Sequence, residues 1–349
     1  MLRPRFLGYK EASDLVPQTR ENQMPSLSDW KVPAAAQPKP EDYGYDLEQA
    51  FNAVVGLRAI IPGDAYTAET LGTERAGNGV FIRGGNGLVL TIGYLITEAD
   101  TIWLTLSDGR SVPGHVLGYD QETGFGLVQA LAKLDLPALE FGQSEAASLG
   151  ERVVVAGAGG RQHSVAARIV AKQEFAGYWE YLLDEAIFTA PAHPNWGGTA
   201  LIGPAGTLIG IGSLQLQHAA EKGQPQNINM TVPIDLLKPI LEDLLKFGRR
   251  NAPARPWLGL YATEMENRLV IVGLADRGPA KRADLRTGDI VLAVAGAEVH
   301  DLAGFFRCIW AQGQAGAEVP ITIYRDGHTM EMRIKSGERN RFLKGPSLH

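Results

Sequence analysis

Residues 189–215 read TAPAHPNWGGTALIGPAGTLIGIGSLQ, and the reading of this stretch decides the fold. A loop holding Trp196 and the glycine pair Gly197 and Gly198 leads into the β-rich run LIGIGSLQLQ (208–217). Upstream, NGVFIRG (78–84), GLVLTIG (87–93), TIWLTLSDGRSVPGHVLGYD (101–120), FGLVQAL (125–131), RVVVAGAG (152–159) and VAARIVAKQEF (165–175) have the same character. Short apolar runs bounded by Gly, Asn and Asp predict strands. The SDG triplet at 107–109 predicts a hairpin between two of them. Many short strands with frequent turns predict an all-β barrel architecture from about residue 64 to about residue 235.

Outside that region the pattern changes. DLEQAFNAVVGLRAII (46–61) places Leu47, Phe51, Val54 and Val55 at helical spacing, with Asp46 as N-cap. TVPIDLLKPILEDLLKFGRR (231–250) puts Leu236, Leu237, Ile240, Leu241 and Leu244 on one face of an amphipathic helix. Beyond the linker RRNAPARP, four strand runs, PWLGLYA, RLVIVGLA, DIVLAVAGAEV and VPITIYRDGHTMEMRIK, alternate with the short helices GPAKRADL and DLAGFFRCIWAQ. Residues 1–40 are polar and proline-bearing, with Phe6 and Trp30 among them, and read as an arm that orders on contact. The tail SGERNRFLKGPSLH is polar.

Composition narrows the function classes. The chain has 349 residues, 45% of them apolar, and a net charge of −6. That balance argues against nucleic acid or an anionic membrane as the main partner. Cys308 is the single cysteine, which excludes an intrachain disulfide and a cysteine-based zinc site. It sits in an apolar helical run and reads as a packed thiol. His163, His193 and His218 have no close ligand spacing, so neither a metal nor another cofactor is expected. No run reaches the roughly 18 apolar residues of a membrane span. The first residues lack the apolar core of an export signal. With Met1 as the native start the chain is expected in the cytoplasm; a trimmed leader would leave the periplasm as the alternative.

At this level the sequence resembles the HtrA/DegP serine proteases, a trypsin-like double six-stranded β-barrel followed by a PDZ domain of α+β type, over about residues 50–335. RPWLGL (255–260) resembles the PDZ carboxylate-binding loop and first strand. RGPAKRADLRTGDIVLAVAGAEVHDLAGF (277–305) matches the Gly-Pro-Ala, Gly-Asp and following positions of that domain. The division implied is an arm at 1–42, a trypsin-like unit at 43–248, a linker at 249–255, a PDZ unit at 256–337 and a tail at 338–349.

The resemblance assigns Tyr94 to the histidine of the catalytic triad, Gly124 to its acid and Trp196 to its serine. It assigns Pro194 to one of the two oxyanion-hole donors, and proline has no N–H. Acyl transfer by a triad needs a nucleophile, a base within hydrogen-bond reach and a group that orients the base. Trp offers only an N–H donor, and Tyr is a poor base at neutral pH. The chain is therefore expected not to be an enzyme but a catalytically inactive pseudoprotease. Its expected role is a scaffold or adaptor that captures protein or peptide C-termini through its PDZ domain. Two alternatives stand beside that expectation: an active serine endopeptidase with a rearranged site, and a structural subunit of a larger complex.

For the PDZ unit the resemblance assigns Leu258, Gly259 and Leu260 to the terminal carboxylate and last side chain of a bound peptide. Arg255 would add charge, and Phe305 would line the opposite wall of the groove. Family members carry a helical insertion between the first two strands that is missing here. The resemblance also implies a homo-oligomer, a trimer, with DYGYDLEQAF (42–51) and its Tyr43, Tyr45 and Phe51 as the contact.

Overall fold

The computed structural model describes residues 30–82, 87–218, 226–266 and 268–345. The arm before Trp30, with Phe6, and the last residues of the tail lie outside the described residues. The chain divides into two compact units. The first runs up to Gln173, resumes at Glu185–Arg250 and ends with the residues from Lys344; the second comprises Glu174–Asp184 and Asn251–Leu343.

In the first unit the strands close on themselves twice. β1 (Val54–Ile60), β2 (Glu74–Phe81), β3 (Leu88–Ile92), β4 (Thr101–Thr105), β5 (Ser111–Tyr119) and β6 (Phe125–Ala130) form a barrel in the order β1-β2-β3-β6-β5-β4. β7 (Arg152–Ala156), β8 (Ser164–Gly177), β9 (Tyr181–Ala190), β10 (Ala200–Ile202), β11 (Leu208–His218) and β12 (Gln226–Pro233) form the other, in the order β10-β11-β12-β9-β8-β7. Among the described residues, closure of each barrel pairs the first strand in its order with the last. Alternation sends every second side chain inward: on β4, Ile102 and Leu104 are buried while Trp103 between them faces solvent. Of the expected arm, Val32 is buried in the core of the second barrel with Val153, Val155, Val165 and Ile187, and Trp30 packs against that core.

Two helix expectations change. The helix α1 (Leu47–Asn52) begins where expected, with the Asp46 carboxylate accepting from the N–H groups of Glu48 and Gln49. It ends before Val54 and Val55, which start β1 and pair with Val80 and Gly79. Their branched side chains fill the barrel, and strand pairing overrides the helical spacing. A single helix over 231–250 also does not form. Thr231–Pro233 close β12, a 3₁₀ turn takes Ile234–Leu236, and the helix α3 (Leu241–Phe247) starts after Pro239. Between these lies the single helical turn α2 (Ala68–Leu71). The SDG hairpin joins β4 to β5 as expected, with Gly109 at φ 84°.

The second unit is one sheet with two helices. β13 (Leu260–Met265), β14 (Arg268–Leu274), β15 (Ile290–Val294), β17 (Glu318–Arg325) and β18 (His328–Lys335) follow in that order, and β16 (Ala297–Glu298) pairs with β15. The helix α4 (Pro279–Arg282) is a single turn, and α5 (Leu302–Trp310) is capped by Asp301, whose carboxylate accepts from Gly304 N–H. β13 and β14 pair antiparallel up to Met265 opposite Arg268. β13 is the edge strand on this path. Phe305, Phe306 and Ile309 of α5 are fully buried beneath the sheet with Leu258, Leu260 and Ile271.

Candidate functional site

Two sites need building: the cleft of the barrels and the carboxylate loop of the sheet unit. In the cleft, Tyr94 lies on a 3₁₀ turn, Gly93–Leu95, directly after β3. The buried Arg75 guanidinium holds that turn, donating to the carbonyls of Tyr94 at 2.8 Å and Thr97 at 3.0 Å. Gly124, at φ 86°, closes the turn before β6, and its carbonyl accepts from Gly93 N–H at 2.6 Å. That bond sets Gly124 beside the residue preceding Tyr94. Asp120 shapes the same turn: its carboxylate accepts from the Thr123 N–H and hydroxyl and pairs with Arg250 at 3.2 Å.

Trp196 meets Tyr94. The tyrosine hydroxyl donates to the Ser213 carbonyl at 2.9 Å and takes a hydrogen bond from the Trp196 side chain, whose only donor is the indole N–H. Burial pushes the Tyr94 hydroxyl well above the usual phenol range, and the bond from Trp196 offsets part of that rise. Gly197 is pressed against the same hydroxyl. The sequence reading thus placed Tyr94, Gly124 and Trp196 in one locality, and the structure brings them together. Pro194 and Asn195 stand exposed on the loop before Trp196.

The loop is fastened by residues that the sequence reading missed. Asn78 on β2 donates through its amide to the carbonyls of Asn195 and Gly197, both at 3.0 Å, and accepts from Ala158 N–H at 2.9 Å. Asn229 on β12 accepts from His193 N–H at 2.6 Å. His193 is fully buried, with Nε2 at 2.7 Å from the His163 carbonyl and Nδ1 accepting from Asn195 N–H at 3.1 Å. Burial lowers its pKa to about 4. The Ser164 hydroxyl donates to the Gly160 carbonyl. A polar residue within a strand was the only sequence signal for Asn78 and Asn229, and such residues are common.

In the second unit, the N–H groups of Leu258, Gly259 and Leu260 converge as the resemblance requires. Gly259 has φ 72°, and a Cβ there would stand 3.0 Å from the Trp257 ring. The three donors already face a carboxylate. Glu180 Oε1 accepts from Gly259 N–H at 2.7 Å and from Leu258 and Leu260 at 3.2 Å. Nothing in the sequence reading singled out Glu180. The Arg255 guanidinium lies over the Trp310 ring, 4.4 Å from the centroid. Arg339 is the cation that acts on Glu180. Phe305 is a core residue, its ring tilted against that of Phe306 at 5.6 Å between centroids. Of the expected oligomer contact, Phe51 is buried inside α1's own packing, while Tyr43 and Tyr45 are half-buried and in edge contact with each other.

With this geometry fixed, comparison with known proteins is informative. Residues 77–211 match the trypsin-like peptidase domain family and residues 256–335 match the PDZ domain family. The serine protease Do-like HtrA of Lactobacillus helveticus is 24% identical over 294 residues, 76% of this chain and 69% of that protein. The chain is similar to HtrA-type serine proteases across both matched domains. A probable periplasmic serine endoprotease DegP-like of Pseudomonas fluorescens is 27% identical and matches 74% of this chain, which spans only 55% of that relative's length. Among solved structures, an HtrA-type protease AlgW with decapeptide covers 86% of the chain at a TM-score of 0.51 and 21% identity, a likeness of fold.

These comparisons correct one expectation. The chain was expected not to be an enzyme, yet its relatives are named serine proteases or endoproteases, which points to a protease. No comparison bears out a lost triad. Expected cytoplasmic placement finds no support either; relatives named periplasmic fit the alternative. Among the described residues, no helix is long and apolar enough to cross a membrane.

Proposed function

We propose that this protein captures protein or peptide C-termini in its PDZ unit and serves as a scaffold or adaptor through that capture. The observation that carries the reading is the trio of N–H groups at Leu258, Gly259 and Leu260, directed at one carboxylate at the start of the edge strand β13. Converging backbone donors form an anion nest, and an edge strand accepts an extended peptide as one more strand. The decisive experiment is titration of the chain with fluorescent peptides that end in a free carboxylate or in an amide. Selective binding of the free acid supports the reading, and equal affinity for both removes it.

In this proposal Tyr94, Gly124 and Trp196 stand at the family's triad positions and Pro194 at its oxyanion donor. The relatives' names favour a second reading for the barrels: serine endopeptidase activity through a rearranged set of residues. Fluorophosphonate labelling with casein turnover tests it, since a labelled serine would identify the nucleophile. The remaining proposals follow the family: a homo-oligomer, no nucleic-acid partner and a periplasmic location. Sedimentation and fractionation of the native source check the first and the last.

A further inference from the structure

The carboxylate in the PDZ nest belongs to this chain, and its surroundings are those of a bound peptide. The segment Glu174–Asp184, at the tip of the β8–β9 hairpin, is part of the PDZ unit. Tyr178 carbonyl accepts from Ala262 N–H at 3.2 Å, a bond from the free edge of β13. Two residues on, the Glu180 side chain fills the nest. Its backbone has φ 60°, a left-handed conformation that turns the chain where a free peptide would end. Leu182 then enters the buried cluster of Leu258, Leu260, Phe305 and Ile309. Both ends of the segment are tied to α5: Arg307 pairs with Glu174 and with Asp184, each at 2.6 Å. Tyr178 also lies edge-on to Tyr261 of β13.

We infer that the PDZ groove is held closed by an internal ligand: Glu180 occupies the carboxylate nest, and an extended peptide with an apolar C-terminal residue binds by displacing Glu174–Asp184. The inference rests on the peptide-binding reading above. It adds that the site is self-occluded and opens in exchange for a carboxylate of the same chemistry. A burial of this kind is costly for the anion. It raises the Glu180 carboxyl to about 7, against the lowering effect of the three backbone donors and Arg339. A terminal carboxylate starts from a lower ordinary pKa than a glutamate side chain, so it keeps more of its charge in the same nest. The exposed Arg307 pairs add little energy of their own and fix the ends of the segment.

The test uses the full chain and a fluorescein-labelled hexapeptide, Phe-Ala-Gly-Tyr-Trp-Leu, with a free C-terminus. It copies Phe175–Trp179 and ends in the leucine that Leu182 supplies. Apparent affinity scales with the open fraction, so a groove open about a tenth of the time gains about tenfold when the latch is released. Glu180→Gln is expected to bind the acid peptide about tenfold more tightly than the wild type, and Arg307→Ala a few-fold more tightly. The amidated peptide should gain nothing in either variant. Hydrogen exchange at the Leu258–Leu260 amides should speed up in Glu180→Gln. Arg307→Ala, a surface change, covers the case in which Glu180→Gln fails to fold. Equal affinity in wild type and variants overturns the latch and leaves the peptide site standing. Absence of binding in all three, with the exchange of these amides unchanged, overturns the peptide site and the latch together.

Discussion

Tyr94 Oη lies 2.9 Å from the Ser213 carbonyl and spends its proton there, while the Trp196 indole donates to the same oxygen. The hydroxyl is thus satisfied on both sides inside the cleft, and the loop ahead of it, at Pro194, offers no N–H.

The first prediction concerns Trp196→Ser. A serine there would meet the Tyr94 hydroxyl, which is held in its protonated form by burial and cannot act as a base near neutral pH. Gly124 brings no side chain to orient a base. Casein turnover by this single variant should not exceed that of the wild type; a rise of tenfold or more, roughly 1.4 kcal/mol of barrier, would show that the rest of the site is competent.

Asn78→Ala should weaken the first unit. The amide of Asn78 satisfies two part-buried carbonyls of the Trp196 loop, and its oxygen satisfies the buried Ala158 N–H. Leaving buried groups unpaired costs about 1–3 kcal/mol. A loss of that size in urea unfolding, with the tryptophan fluorescence transition moved to lower denaturant, is the expected outcome. An unchanged midpoint would mean that water replaces the amide.

Gly198→Ala probes the same loop from the backbone. Gly198 has φ 75°, and a Cβ there would run into the Asn78 carbonyl oxygen. Left-handed strain alone is worth about 1–3 kcal/mol, and the contact adds to it because backbone cannot swing away. The variant should fall below the stability of Asn78→Ala; a drop under about 0.5 kcal/mol would show that the loop relaxes freely.

A pH effect follows from His193. Its pKa is lowered to about 4 by burial, below the value of about 6.5 it takes in an unfolded chain. Between those values the unfolded state binds more protons, so stability is full above about pH 6.5 and falls as the pH drops towards 4. At pH 5 the loss attributable to this group is about 2 kcal/mol. Urea midpoints at pH 7.5 and 5.0 measure it, and His193→Gln should flatten the difference. If wild type and variant keep the same pH profile, another group carries the effect.

Much of the architecture was readable because its signals are local. The SDG turn, the cap at Asp46 and the strand runs with alternating burial depend on a few neighbouring residues, and each formed where expected. The misreadings at Val54, Val55 and 231–250 have one cause: a run that satisfies helical spacing can still be taken by a barrel that needs its backbone hydrogen bonds. Pro239 already marked the break in the second case.

By itself, then, the sequence determined the two β-barrels, the PDZ sheet and the kinds of side chain at positions 94, 124 and 196. Tertiary structure alone decided what those side chains meet. Trp196 and Tyr94 become partners only after two separate barrels have closed. Glu180 reaches Leu258–Leu260 across 78 to 80 residues, and no local pattern distinguishes it from a surface glutamate. Burial, desolvation and convergence of donors are properties of a closed shape, so they are absent from any window of the chain and arise when its distant parts come to rest against each other.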